Sequence, residues 1–179
     1  MIDYALWLVP SSPERDTAVD VIQDLIKAQP ESPAFDPHVT LLHPISKSIP
    51  IEKITTTLQN IAQSLDLRAK PLWLNLGPAQ GGTFYYQSVL APVNLKSDDT
   101  LSGLRSACEE AFDLKNLKPY FPHLSLLYGD LSSERRDELA KTVTDAGKLP
   151  TSLTIKEILV VDCTGVTKDW KTVANVHLL

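Results

Sequence analysis

The chain carries the same nine-residue pattern twice, and this duplication limits its possible folds more than any other feature. Residues 35–43 read FDPHVTLLH and residues 120–128 read YFPHLSLLY, and the two segments align without a gap. Both begin with an aromatic residue and share a proline, a histidine, an aliphatic residue, a hydroxyl residue and two leucines. A Pro-His pair could recur by chance, but the whole set indicates an internal repeat.

The segments around each copy repeat as well. Apolar runs predict strands at residues 4–9 and 85–91, and helical periodicity follows each at 13–28 and 98–112. After each copy comes a second helical pattern, at 51–65 and 132–143, and then a strand, at 72–76 and 153–161. A last strand is predicted at 171–178. The order is therefore β-α-β-α-β, twice, with one extra strand.

Alternating strands and helices favour an α+β fold in one bilobal domain over residues 1–179, built from two pseudo-symmetric lobes. The repeated halves cover approximately residues 1–77 and 83–179, and we expect them to face each other across a central cleft. The glycines and proline of residues 77–83 predict a mobile surface loop between the halves. Ser11 or Ser12 is expected to cap the first helix, and Asp98 or Asp99 the third.

Composition narrows the classes of partner. A net charge of -5 argues against binding to long nucleic acid, because phosphate neutralisation requires a basic surface, but it allows a small anionic ligand. No apolar run reaches the roughly 18 residues that would cross a membrane. The first residues also lack the basic start of a signal peptide. We therefore expect a cytoplasmic protein, and nothing requires more than a monomer.

Each repeat places an imidazole beside a hydroxyl. Residues i and i+2 of a strand face the same side, so His38 projects with Thr40, and His123 with Ser125. Two such strands facing a cleft suit phosphodiester hydrolysis: one imidazole takes a proton from water and the other gives one to the leaving oxygen. The hydroxyls can donate hydrogen bonds to the phosphate oxygens.

Metal binding is the weaker interpretation. Structural and catalytic zinc sites use three or four protein ligands, whereas each motif supplies one histidine. His43 lies five residues after His38, so a regular strand would turn it to the opposite face. We therefore predict no metal and no cofactor. A structural role remains the usual explanation for a single histidine on an apolar strand, and it is the one we favour for His177.

At these motifs the sequence resembles the two-histidine (2H) phosphoesterase superfamily, and within it the fungal and plant cyclic nucleotide phosphodiesterases. The resemblance covers essentially the whole chain. It implies a bilobal α+β fold and metal-free opening of ADP-ribose 1″,2″-cyclic phosphate, a by-product of tRNA splicing, to ADP-ribose 1″-phosphate. It also implies opening of nucleoside 2′,3′-cyclic phosphates to the 2′-phosphates.

The resemblance assigns roles to six residues. His38 and His123 would be the acid–base pair, Thr40 and Ser125 would bind phosphate, and aromatic side chains lining the cleft would be Trp7 and Tyr128. Tyr128 lies five residues after His123, so a bulge or the strand end must redirect it.

Nearby aromatic and sulfur side chains leave further alternatives. Phe84, Tyr85 and Tyr86 are candidates for stacking a base or for packing. Cys108 and Cys163 are expected to be reduced thiols, with a single bridge as the alternative. The plant relatives have extra cysteines that form disulfides, and this chain does not obviously reproduce them.

Two other functions remain open. One is an RNA-end-processing enzyme of the same superfamily, 2′–5′ RNA ligase-like or exonucleolytic, which the acidic charge balance disfavours. The other is a non-catalytic module that binds a phosphate ligand. The sequence also leaves open which histidine is the base and which cyclic phosphate is the substrate.

Overall fold

The computed structural model describes residues 3–95, 100–115 and 117–178. Its strands and helices follow the predicted order, with one additional short strand. In chain order they are β1 Asp3–Pro10, α1 Glu14–Ala28, β2 Val39–Ser46, α2 Ile51–Ser64, β3 Leu72–Asn75, β4 Gln80–Gly81, β5 Val89–Pro92, α3 Thr100–Ala111, β6 His123–Leu127, α4 Ser133–Ala146, β7 Ser152–Asp162 and β8 Lys171–His177.

The strands form one antiparallel sheet in the order β3-β7-β1-β2-β6-β5-β4. Strand β8 pairs with residues 157–162 of β7, next to the stretch 152–155 that pairs with β3. The two motif strands, β2 and β6, are neighbours at its centre and meet at Val39 and Leu124. Beyond the strand ends, an isolated bridge joins Leu76 to Val93, so the sheet curls until β3 approaches β5. The α+β fold is thus confirmed, and the lobes share a sheet in which β7, from the second half of the chain, lies between β1 and β3.

Strand β1 shows how the sheet separates the main core from the cleft. Leu6 and Leu8 are fully buried in the main hydrophobic core, under the helices. The alternate residues Ala5, Trp7 and Val9 are also buried but belong to a second, smaller cluster on the other face. Each buried leucine contributes about 1.5–3 kcal/mol relative to an exposed one. Packing on both faces therefore fixes the register of β1 and with it the position of Trp7.

A β-bulge occurs at the same position of both repeats. On β2 the register passes from Trp7–Thr40 to Leu6–Leu42, so Leu41 is an extra residue. On β6 it passes from Leu90–Ser125 to Val89–Leu127, so Leu126 is the extra residue. Both extra leucines are fully buried. A bulge shifts the alternation of faces by one residue, so the residue five positions after each motif histidine returns to the cleft side.

This bulge overturns one prediction and satisfies another. His43 was expected on the face opposite His38, but it lines the same cavity, because the extra Leu41 restores it to that side. Tyr128 needed a bulge or a strand end to reach the cleft. It has both, since it follows the Leu126 bulge and lies one residue beyond the end of β6.

Residues 77–83 are not the predicted mobile loop. They contain β4, which pairs with β5. A Cβ atom on Gly82 would lie 1.7 Å from the carbonyl oxygen of Gln87, so only glycine fits this close approach. The strand predicted at 85–91 is also shorter: Tyr85–Gln87 form a 3-10 turn and β5 begins at Val89.

The predicted cap of the first helix is wrong. Helix α1 follows Pro13 without a side-chain cap, and the Ser11 hydroxyl instead donates to the carbonyl of Thr154. Asp98 and Asp99 lie outside the described residues. Helix α4 does begin with a serine cap, because the Ser132 hydroxyl accepts from the Arg135 amide. No helix of the described segments has the length and apolar character needed to cross a membrane.

Candidate active site

A cavity of about 620 Å³ opens where the two motif strands meet. All six residues that sequence analysis proposed for the site contribute to its lining: Trp7, His38, Thr40, His123, Ser125 and Tyr128. Thr40 and His38 come from β2 and its entry, whereas Ser125 and His123 come from the adjacent β6. The central position of these two strands brings together side chains that are 85 residues apart in the chain.

His38 is held rigidly at the base of the cavity. Its ring is parallel to that of Trp7, with the centroids 3.6 Å apart and an angle of 7° between the planes. Its Nδ1 lies 2.7 Å from the carbonyl oxygen of Asp36, so Nδ1–H donates and Nε2 is left with a free lone pair. Burial lowers the pKa of His38 from 6.5 to about 4, against the opposing effect of the Asp36 carbonyl, and the neighbouring His123 lowers it further. His38 is therefore neutral at pH 7.

His123 is oriented in the same way as His38, by a hydrogen bond to the backbone carbonyl two residues earlier. Its Nδ1 lies 2.8 Å from the carbonyl oxygen of Phe121. Burial lowers the pKa of His123, and the Phe121 carbonyl acts in the opposite direction. The Phe121 ring stacks against His123 at 5.5 Å but is itself half exposed to solvent. In both repeats the backbone carbonyl therefore selects the tautomer that leaves Nε2 unprotonated.

The two motif hydroxyls differ in their hydrogen bonds. The Ser125 hydroxyl donates to the carbonyl of Tyr86 at 3.0 Å. The Thr40 hydroxyl has no hydrogen bond to another residue within the described segments. Thr40 is thus ready to donate to a ligand, whereas Ser125 offers lone pairs until its proton turns away from Tyr86.

An aromatic wall closes one side of the cavity. Tyr128 stacks on Phe35 at 3.8 Å, so the first residue of one repeat packs against the last residue of the other. Burial raises the pKa of the Tyr128 phenol above its usual range, which keeps the hydroxyl protonated. Of the three aromatics considered for base stacking, Tyr86 lines the cavity, and Phe84 and Tyr85 do not.

Sequence analysis missed Trp170, which lies just before β8 and also lines the cavity. Its ring meets Trp7 edge-on at 5.7 Å and lies 5.6 Å from Tyr86. Its indole nitrogen is buried without a partner among the described residues. No sequence signal marks Trp170, because it falls outside both nine-residue motifs and reaches the cavity through the pairing of β8 with β7.

The lining of the cavity has a charge opposite to that of the chain. The net charge of the protein is -5, yet no aspartate or glutamate is among the described residues that line the cavity. Two cations are, Arg105 and Lys118. A cleft lined with one sign of charge attracts ligands of the other sign. An anionic ligand is the chemistry that this lining favours.

Arg105 supports the first bulge from behind. Its guanidinium donates to the carbonyl of Leu41, the extra residue of β2, and pairs with Glu109. The guanidinium carbon lies 4.7 Å from the centre of the Tyr120 ring, and the Tyr120 hydroxyl donates to the carbonyl of Thr40 at 3.0 Å. These contacts satisfy the backbone groups that the bulge removes from the sheet.

One of the two cysteines, Cys163, lines the cavity. Cys108 and Cys163 are both buried and unbridged, in agreement with the preferred prediction. Burial raises the pKa of Cys163, at the edge of the cavity, to about 11, so its thiol is protonated and unreactive at pH 7. Within the described residues no group of three histidine, cysteine, aspartate or glutamate side chains is arranged to hold a metal ion.

A family model described as cyclic phosphodiesterase-like protein matches residues 1–178. The chain belongs to this family. The 2H phosphoesterase superfamily predicted from the paired motifs is thereby confirmed, and membership supports an enzyme of the phosphodiesterase type. Among curated proteins, the cyclic phosphodiesterase of Arabidopsis thaliana is 23% identical over 180 residues, which cover 98% of this chain and 94% of the plant protein.

Two solved structures show that the cyclic phosphodiesterase-like chain shares its fold with more distant proteins. E. coli LigT in its apo form has a TM-score of 0.54 at 13% identity, and the match covers 98% of this chain and 96% of LigT. Usb1 of Kluyveromyces marxianus has a TM-score of 0.50 at 13% identity, and the match covers 94% of this chain and 96% of Usb1. At these identities the likeness concerns the fold alone.

Proposed function

We propose that this protein hydrolyses ADP-ribose 1″,2″-cyclic phosphate to ADP-ribose 1″-phosphate, and nucleoside 2′,3′-cyclic phosphates to nucleoside 2′-phosphates, without a metal ion. One observation carries the proposal. His38 and His123 line the same cavity. Each is oriented by a hydrogen bond from Nδ1 to the backbone carbonyl two residues earlier, so each has Nε2 free for proton transfer. Family membership supports the same class of reaction.

The proposed reaction is an in-line attack of water on phosphorus. One Nε2 takes a proton from the water as its oxygen bonds to phosphorus. The ring bond to the departing oxygen then breaks, and the second imidazole, protonated beforehand, gives its proton to that oxygen. The departing oxygen is O3′ of a nucleoside 2′,3′-cyclic phosphate and O2″ of the ADP-ribose compound. Thr40 and Ser125 would stabilise the charge that develops on the non-bridging oxygens.

We assign the base to His38 and the acid to His123. His38 is 5% exposed and has a pKa of about 4. Its ring is therefore unprotonated at neutral pH and can accept the proton of the attacking water. His123 is half-buried and exchanges protons with solvent more easily. With a base pKa near 4 and an acid pKa below 6.5, kcat/KM should peak on the acidic side of pH 6.5 and fall as pH rises further. A flat profile between pH 5 and 8 would contradict paired acid–base catalysis.

The size of the cavity supports a nucleotide-sized ligand. Its volume of about 620 Å³ lies in the range of small-molecule sites, about 300–1,000 Å³. E. coli LigT, which shares the fold with a TM-score of 0.53 and 12% identity, has been solved in complex with 3′-AMP. We propose a mononucleotide or ADP-ribose-sized substrate, and no long nucleic acid, for the present chain.

The test is hydrolysis of ADP-ribose 1″,2″-cyclic phosphate and the four nucleoside 2′,3′-cyclic phosphates in EDTA, with products identified by phosphorus NMR. We expect 1″-phosphate and 2′-phosphates, and no change of rate on removal of EDTA. Inhibition by EDTA that zinc or manganese reverses would overturn the metal-free mechanism. Turnover of none of the five compounds would overturn the proposed function. A 2′–5′-linked oligonucleotide and a 3′-terminal RNA fragment, tested in parallel, would then identify an RNA-end enzyme.

A further inference from the structure

The ring of Trp7, which covers His38, depends on a second tryptophan for its support. It stacks on His38 with the ring centroids 3.6 Å apart. Within the described residues, its only further ring contact is with Trp170, which meets it edge-on at 5.7 Å. The other members of this small cluster have small or aliphatic side chains: Ala5, Val9, Leu159, Val161 and Cys163. Trp170 is therefore the large side chain that limits how far the Trp7 ring can tilt away from His38.

Trp170 is itself supported by rings of the second repeat. Its ring centroid lies 5.6 Å from that of Tyr86 and 6.4 Å from that of Tyr128. Tyr86 is tied to the second motif, because its backbone carbonyl accepts the Ser125 hydroxyl at 3.0 Å. A continuous series of ring contacts thus runs from His38 through Trp7 and Trp170 to Tyr86. Trp170 connects the cover of the first motif to the surroundings of the second.

The turn before β8 fixes the backbone of Trp170. Gly165 has a φ of 85°, in the left-handed region, and a Cβ atom there would lie 2.8 Å from a carboxylate oxygen of Asp169. The same carboxylate accepts the Val166 amide at 3.2 Å and so closes the turn. Strand β8 then begins at Lys171, the next residue after Trp170. The turn and the strand therefore hold Trp170 from both sides.

Ring packing, and no hydrogen bond of the indole, determines where the Trp170 side chain lies. The indole nitrogen is buried without a partner in the part of the chain that the structure describes. Buried donors normally have an acceptor, so the contribution of this side chain comes from its apolar surface. Phenylalanine keeps an aromatic ring and lacks the unpaired donor. It should therefore replace Trp170 with little loss, whereas an aliphatic residue should not.

We propose that Trp170 is a positioning residue, which keeps the Trp7 ring stacked on His38 and so keeps that imidazole buried and aligned for proton transfer. The kinetic test of this inference rests on the proposed function, and its spectroscopic test does not. Without the Trp170 ring, Trp7 tilts and water reaches His38.

The pKa of His38 reports this cover, because burial is the largest influence on it. The charge of His123, on β6, lowers the same pKa further. Other titratable groups that line the cavity are His43, Arg105, Lys118, Cys163 and three tyrosines. All of these groups are kept in the variants below, so a change in the pKa of His38 is a change in its cover.

The kinetic test compares Trp170→Leu and Trp170→Phe with wild type on adenosine 2′,3′-cyclic phosphate, with circular dichroism to verify folding. The matched control is Trp73→Leu, since Trp73 is 63% exposed on β3 and does not line the cavity. Trp170→Leu should lower kcat about tenfold and change KM by less than about twofold, because a misaligned imidazole slows the chemical step. Trp170→Phe should keep most of the activity, and Trp73→Leu all of it. A loss confined to KM, or an equal loss in Trp170→Phe, would overturn the positioning role.

Titration of the imidazole carbon-bound protons by NMR needs no substrate and separates this inference from the proposed reaction. In Trp170→Leu the pKa of His38 should rise by about half a unit, because its ring becomes more hydrated, and the pKa of His123 should change by less. Trp170→Phe and Trp73→Leu should leave both close to wild type. If Trp170→Leu does not fold, Gly165→Ala displaces the turn before Trp170 and should raise the pKa of His38 in the same way.

The two tests fail in distinguishable ways. If wild type hydrolyses no cyclic phosphate, the proposed function fails, and the NMR titration alone decides the role of Trp170. A His38 pKa that is the same in wild type and in the folded variant, Trp170→Leu or Gly165→Ala, would overturn the inference even if the enzyme is active.

Discussion

The first and second copies of the motif have the same backbone but different surroundings. In each, a histidine donates from Nδ1 to the carbonyl two residues earlier, and a buried leucine bulges from the strand three residues after it. In the first copy, however, the ring of Trp7 covers His38. In the second copy His123 lies against Phe121, which is half exposed. Repetition therefore sets the direction of each imidazole, and the surroundings set its affinity for protons.

The last residue of each copy shows the same contrast between an equivalent backbone and different surroundings. Its backbone is equivalent in both, because both bulges return it to the cleft side. In the second copy it is Tyr128, which stacks on Phe35 and closes the aromatic wall. In the first copy it is His43, which lines the same cavity without stacking on an aromatic ring of the described residues. A pseudo-symmetric scaffold thus carries an asymmetric cleft.

The largest expected effect comes from removing either imidazole. His38→Asn and His123→Asn should each lower kcat by about 10³-fold, since general acid and general base catalysis contribute about 10²–10⁴-fold. The double variant should be less than about tenfold slower than the worse single variant, because the pair acts as a unit. Steady-state rates on the cyclic phosphates, with circular dichroism to verify folding, measure both. A single variant that keeps a tenth of the activity would show that the two copies do not share the chemistry.

A second effect distinguishes the two histidines through stability. His38 has a folded pKa of about 4, below the 6.5 of the unfolded chain, so the unfolded state binds more protons between these values. The contribution of His38 to the free energy of unfolding is complete above pH 6.5. It is lost as pH falls toward 4, by up to about 3 kcal/mol. Urea unfolding of His38→Asn at pH 7 and pH 4.5 should therefore show a weaker acid dependence than wild type.

The control for that measurement is the other copy. His123→Asn should weaken the acid dependence by less than His38→Asn, because His123 is more exposed. Equal changes in the two variants would mean that the surroundings of the copies do not separate their proton affinities.

The two hydroxyls should also be unequal. Thr40→Val should lower kcat by about 100-fold, the cost of removing one donor to a developing negative charge. Ser125→Ala should cost less, about tenfold, because the Ser125 hydroxyl is already committed to the Tyr86 carbonyl. Thr142→Val, on an exposed face of α4, is the control and should leave kcat unchanged. A larger loss in Ser125→Ala than in Thr40→Val would reverse the proposed difference.

The smallest effect concerns the ring above His38. Trp7→Phe keeps an aromatic surface but uncovers part of the imidazole, so the pKa of His38 should rise, by less than about one unit. Titration of the imidazole carbon-bound protons by NMR measures this change, and His123 serves as the internal reference. A His38 pKa that stays unchanged would show that Trp7 is not the source of its burial.

Much of this protein could be predicted from local pattern alone. Strand and helix order, the pairing of His38 with Thr40 and of His123 with Ser125, and the two free cysteines all follow from periodicity, spacing and repetition. These features depend on the two-residue period of strands and the 3.6-residue period of helices. Both periods can be seen in the spacing of apolar residues along the sequence. The internal repeat added what one motif could not, a reason to place both histidines in the same cleft.

The remaining features depend on contacts between distant segments, which no local pattern contains. The bulge at Leu41 reversed the expected face of His43, and the bulge at Leu126 turned Tyr128 to the cleft side. The register of these bulges is set by pairing with β1 and β5. Trp170 reaches the cavity because β8 pairs with β7. The low pKa of His38 arises from burial beneath a strand 31 residues earlier in the chain. Alternation along the sequence determined which residues share a strand face, and tertiary packing alone decided where that alternation is interrupted and what covers each face.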